Sequence, residues 1–181
     1  MKKILLALSL TFITACAIGA GENSKMIAAK NGFFPQLTGI DLEGEKRELP
    51  QSFDKKLNIV VVAFKREQQE NVNGWIKATE EVLAKKPEIG FYELPLIYEM
   101  DAISRKFINN GMRRGVPGAK ARKHTITVYT DREKFFELMK MKEEKIYLLA
   151  LNQEGKILLR IEGDATKKNT AALMKFLKRK S

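Results

Sequence analysis

Apolar and polar positions divide the chain into alternating segments. "LNIVVVAF" (57–64) is a continuous β-branched run of the kind that forms a central strand buried on both faces. Past it, Val72, Trp75, Ile76, Thr79, Val82 and Leu83 fall on one stripe of a helix, and Pro87 stops it. "IGFYELPLIYEM" (89–100) predicts a second strand, with Pro95 making its later half irregular or placing it at an edge. "DAISRKFINNG" (101–111) predicts a helix capped by Asp101 and ending near Gly111. "TITVYTD" (125–131) is a third strand, and a short helix follows from Asp131 through "REKFFELMKM". "KIYLLALNQEGKILLRIEG" (145–163) predicts a hairpin that turns at Asn152-Gln153-Glu154-Gly155, where Gly155 suits positive φ. In the last helix Thr170, Leu173, Met174 and Leu177 share one face. Ahead of all these, Gly44 divides "GIDLEGEKRELP" (39–50) into a small hairpin. Strands alternating with helices predict an α/β fold: a mixed central sheet with helices on both faces and a C-terminal β-hairpin plus helix.

The chain opens differently. Met1, Lys2 and Lys3 precede an uncharged apolar stretch, Ile4 to Ala20, and the polar "GENSK" follows at once. A positive start before an apolar run reads as a secretory signal, and the run is shorter than the ~20 apolar residues a spanning helix needs. Ile13-Thr14-Ala15-Cys16 resembles the lipobox of bacterial lipoprotein signals. That resemblance implies a thioether-linked diacylglycerol on Cys16 and cleavage just before it. Ordinary cleavage after Ala17 or Ala20 is the alternative. The expected organisation is a leader over 1–20, a tether over 21–32 and one domain over 33–181. The expected location is the periplasmic side of a bacterial membrane, lipid-anchored or, alternatively, soluble.

Composition narrows the chemistry. Lys and Arg number 33 against 22 Asp and Glu, a formal charge of +11 that falls to +9 once Lys2 and Lys3 are removed. A basic protein outside the cytoplasm meets anionic headgroups or acidic protein surfaces rather than nucleic acid. Cys16 is the sole cysteine, so the mature domain has no internal disulfide and no thiol nucleophile. His124 is the sole histidine, which excludes a zinc site of three or four His/Cys ligands. No cofactor is expected, and the expected assembly is a monomer.

"NNGMRRGVPGAKARKH" (109–124) is the longest stretch without a pattern, and Gly111, Gly115, Pro117 and Gly118 argue for a loop through much of it. From Ala102 to His124 every charged residue is basic: Arg105, Lys106, Arg113, Arg114, Lys120, Arg122 and Lys123. Of these, Arg105, Arg113, Arg114, Lys120, Arg122 and Lys123, together with His124, are the candidate partner-binding set, for an acidic protein or an anionic membrane surface. The bland alternative is a solvated cationic loop. Arginine favours the protein partner, because its planar fork pairs carboxylates in bidentate fashion. Phe135, Phe136, Met139 and Met141 read as core in preference to a client groove. Glu93, Glu99 and Asp101 form too small a carboxylate group to stand as a metal site.

"NIVVVAF" followed by a long helix, "TITVYTD", and the hairpin before a final helix together resemble the thioredoxin-like superfamily across 33–181. Redox members carry Cys-x-x-Cys, or one peroxidatic cysteine, where this chain has "KREQQENV". Thioredoxins also place a cis-proline directly before the strand that Thr125 begins here, and Pro117 lies too early to match it. More narrowly, "FFPQLTGIDLEGEKRELP", "NVNGWIKATEEVL", "GFYELPLI" and "GMRRGVPGAKARKHTITVYTD" are similar to the mitochondrial ATP synthase assembly factor family. Its members resemble chaperones of an unassembled membrane subunit. The expectation is a non-catalytic, membrane-tethered binding domain outside the cytoplasm, acting as an assembly factor or chaperone. One rival is a cysteine-independent enzyme using His124 and nearby arginines on an anionic substrate, which requires those groups to converge on one pocket. The other is a domain held by its basic surface against lipid.

Overall fold

The computed structural model describes Met26 and residues 32–179; the leader, Cys16 and most of the expected tether lie outside the described residues. Seven strands occur: β1 Leu37–Asp41, β2 Lys46–Leu49, β3 Leu57–Ala63, β4 Ile89–Tyr98, β5 Ile126–Thr130, β6 Tyr147–Asn152 and β7 Ile157–Glu162. The helices are α1 Gln69–Lys85, α2 Ala102–Gly115, α3 Ala119–His124, α4 Arg132–Met139 and α5 Lys167–Arg179. The strands form one sheet in the order β2-β1-β5-β4-β3-β6-β7. β3, β4 and β5 run parallel, while β1 and β6 flank them antiparallel. The mixed sheet and the late hairpin were both legible in the sequence.

The period of two in β3 sorts its side chains onto two cores. Ile59 and Val61 pack with Val72 and Trp75 of α1 and with Leu173 and Leu177 of α5. Val60 and Val62 pack with Phe135 and Met139 of α4, Phe34 and Phe53. Met26, from the stretch read as tether, belongs to this second core. Trp75 is fully buried and donates its indole N–H to the Gly163 carbonyl at 3.0 Å, which satisfies the polar edge of a core residue.

Two expectations need correction. Pro95 neither disorders β4 nor marks a sheet edge: β4 runs unbroken for 10 residues between β3 and β5. Its ladder to β3 ends at Pro95, opposite Ala63, while its parallel register with β5 runs from Leu96 and is preceded by a bridge from Glu93 to Thr125, so the proline sits where pairing passes from one neighbour to the other. The second correction is the loop over 109–124. α2 continues through Gly111 to Gly115, and α3 occupies Ala119–His124, leaving only Val116-Pro117-Gly118 as the break. Gly118 supplies the positive φ (83°) that turns the chain there. Gly111 faces open space, so the helix continues past it without steric hindrance.

Candidate functional site

Two regions concentrate chemistry-bearing side chains. The first is the corner where β3 runs into α1, at the carboxyl end of the parallel strands, where open α/β sheets commonly bind ligands. A short turn of 3-10 helix, Arg66–Gln68, leads into α1. Gln68 is buried, and its side chain closes the corner from within. Its Oε1 accepts the backbone N–H groups of Phe64 at 2.8 Å and Lys65 at 3.1 Å. Its Nε2 donates to the Glu143 carbonyl at 2.7 Å, tying the corner to the segment after α4.

Around that bond lies a charged cluster. Glu143 receives the Lys65 ammonium at 3.1 Å and the Arg132 guanidinium at 2.8 Å. The hydrogen bond from Lys65 above all, with Arg132 beside it, holds the Glu143 carboxyl below the usual carboxylate range. Arg132 is buried, its guanidinium 4.1 Å from the ring centre of Tyr98, with Phe64 and Phe136 at 5.6 and 5.3 Å. Its Nε has no hydrogen-bond partner, so part of its stabilisation comes from the ring faces. Glu93, on the central strand, is held above its ordinary range by burial, although Gln69 hydrogen-bonds it. Asp101 does not join a carboxylate site: it caps α2, accepting from the N–H groups of Ile103 and Ser104.

The second region is the basic surface of α2 and α3, where the structure separates the candidate residues into different roles. Arg105 is buried over the Tyr129 ring, at 5.8 Å. Arg113 and Arg122 both grip Glu43, in the turn between β1 and β2. Arg113 reaches one carboxylate oxygen at 3.0 Å and the Leu42 carbonyl at 2.6 Å, while Arg122 takes the other oxygen. The hydrogen bond from Arg122 foremost, with Arg113 nearby, holds the Glu43 carboxyl below its ordinary pKa. Arg114, Lys120 and Lys123 are exposed.

His124 lies half-buried against the Tyr92 ring, centroids 4.9 Å apart, and burial holds its pKa below the ordinary 6.5. An open recess of about 470 Å³ is lined by Asn110, Arg113, Arg114 and Arg122, and His124 is not among its walls. The arginines converge and the histidine stands apart. That arrangement lacks the shared pocket that the enzyme reading requires.

Sequence reasoning missed Gln68, Glu43, Arg132 and Glu143, because each acquires its role through a partner distant in sequence. It also missed the outer face of α2. Ile103 and Phe107, one turn apart, are 83% and 80% exposed. Their i, i+4 spacing was visible, but which face of α2 lies inward depends on Arg105 and Asn109 packing against Tyr129.

Solved structures place the fold. The chain is similar to BsSco, a member of the Sco family of cytochrome c oxidase assembly proteins, with TM-score 0.57 and 13% identity over 84% of this chain and 96% of that one. Yeast Sco1 gives TM-score 0.52 and 11% identity over 83% and 97%. The thioredoxin domain of a thiol-disulfide oxidoreductase from Bacteroides vulgatus gives 0.51 and 19% over 82% and 97%. At such identities the likeness shows a thioredoxin-like fold. No curated protein matches the chain. The sequence profile described as ATP10 protein matches residues 21–179, spanning both cores, the closed corner and the basic helices, and the chain therefore belongs to the ATP10 protein family.

Proposed function

We propose that the protein is a membrane-tethered assembly factor outside the cytoplasm, which binds a partner protein and performs no thiol exchange. The observation that carries this reading is the closed corner. Where redox relatives of the fold hold their cysteines, Gln68 fills the interior with three hydrogen bonds, and no cysteine occurs among the described residues. Thiol exchange needs a thiolate, and the mature chain supplies at most Cys16, near its expected start. Membership of the ATP10 protein family supports the assembly role, and the lipobox-like Ile13-Thr14-Ala15-Cys16 supports the tether. The partner is acidic, met by the exposed cations Arg114, Lys120 and Lys123.

The test compares cells lacking the protein with cells expressing wild type, Cys16→Ala, or Arg114→Glu/Lys120→Glu/Lys123→Glu. Detergent-solubilised membranes are separated on native gels and read by mass spectrometry. One membrane complex is expected to fall to sub-complexes in the deletion and to recover with wild type. The charge-reversed chain should restore it poorly. Cys16→Ala should do likewise while moving from the membrane to the soluble fraction. Complexes that are unchanged by the deletion overturn the assembly reading.

A further inference from the structure

Among the described residues, α2 carries a ridge that is left exposed. On a helix, residues at i, i+4 and i+8 stand nearly in line. Ile103, Phe107 and Gly111 form such a line, with the two apolar side chains 83% and 80% exposed. Gly111 looks the same way: a Cβ added there meets nothing within 4 Å. Glycine is among the poorest residues for a helix interior, and no neighbour among the described residues requires one at this position. Beside the ridge runs a second row, Lys106, Asn110 and Arg114, all exposed. Arg114 and Asn110 reach the recess that Arg113 and Arg122 complete.

We infer that this ridge is a docking face for one helix of a partner protein, a helix with an apolar stripe flanked by carboxylates. The inference deepens the assembly-factor reading and rests on it. Ile103 and Phe107 anchor the apolar stripe. Gly111 is the point of closest approach, since helix axes come nearest where the side chain between them is smallest. Lys106 and Arg114 meet the carboxylates, and the 102–124 segment offers no acidic residue to compete for them.

Charge also rejects the other occupants. A second copy would set this basic row against its own like. An anionic bilayer gains nothing from Gly111, and it would meet the exposed carboxylates of Glu99 and Asp101 at the N-terminal end of the ridge.

The experiment places the photocrosslinker benzoylphenylalanine at position 107 of the full membrane-anchored chain, with position 175 of α5 as control, and maps the cross-linked peptides. The expected product is one partner, joined within a helical segment that carries an apolar stripe with flanking Asp or Glu. Ile103→Ser and Lys106→Glu/Arg114→Glu should each lower that yield about tenfold or more, as buried anchors and paired charges do at interfaces. Gly111→Ala should raise the melting temperature and still weaken the cross-link, an opposition that a purely structural glycine would not produce.

Cross-links only to lipid or to a second copy overturn the inference, as does a yield indifferent to these variants. The two failures are separable. If Ile103→Ser restores complex assembly fully in the deletion cells, the ridge is wrong and the assembly reading stands. If the deletion itself leaves every complex intact, the assembly reading has failed first.

Discussion

Gln68 shows how one side chain redefines a corner. A buried backbone N–H without a partner is costly, and a strand that runs directly into a helix exposes several. Gln68 accepts two of them and uses its own N–H on Glu143, so the corner is satisfied without solvent. Gln68→Leu keeps comparable volume and removes all three bonds. The expected cost is about 1–3 kcal/mol for each group left buried and unpaired, with the half-exposed Lys65 end contributing least. For a domain of this size each kcal/mol lowers the melting temperature by about 2–4 °C. Gln68→Glu keeps the two acceptor bonds and loses the donor, so its melting temperature should fall between wild type and Gln68→Leu. Equal melting temperatures for all three chains would mean that the corner does not depend on this side chain.

Among the elements, α2 and α3 are clamped to the β1–β2 hairpin through one shared acidic side chain, beside bonds to the Leu42 backbone. Glu43 lies about seventy residues before Arg113, yet it receives Arg113 and Arg122 on separate oxygens. Such a clamp orders a short helix that has no buried residue of its own, as is true of α3. Glu43→Ala should therefore speed amide exchange over 116–124, read by mass spectrometry, and leave β3 and β6 protected. Unchanged exchange in α3 would assign its order to the backbone bonds from Leu42 to Arg122 and Thr125 instead.

The clamp also explains what sequence could not supply. Strands such as 57–64 were legible because burial on both faces writes a continuous apolar run. The helix α1 was legible because its stripe packs on one face. In 109–124 the glycines and proline counted against regular structure, although glycine breaks a helix only where another conformation gains, and here only Pro117 with Gly118 does so. The basic residues were legible as a group. Their division into buried, clamped and exposed members depends on Tyr129 and Glu43, which no local pattern connects to them.

Across the whole molecule, one N-terminal segment joins the two outer parts of the sheet. Gly32 and Phe34 bond to the β6–β7 hairpin at Ile157 and Gly155, and the chain then crosses to β1 on the far side of β5. Phe34 fills the crossing, its ring 6.3 Å from Phe53 and 6.2 Å from Phe135. The return contact is Pro50, just past β2, which rests on Gly155 so closely that a Cβ there would lie 2.4 Å from its Cγ. Gly44 is the matched control, since its φ of 96° is also positive but nothing lies within 4 Å. An alanine at either position incurs left-handed strain of about 1–2 kcal/mol. Gly155→Ala adds the displacement of Pro50, about 1–3 kcal/mol more on the scale of overpacked cores. Calorimetry should therefore show Gly155→Ala melting well below Gly44→Ala, both as one cooperative transition. Equal melting temperatures would mean that Pro50 yields freely, and that the hairpins at the two ends of the sheet are coupled through the Phe34 crossing alone.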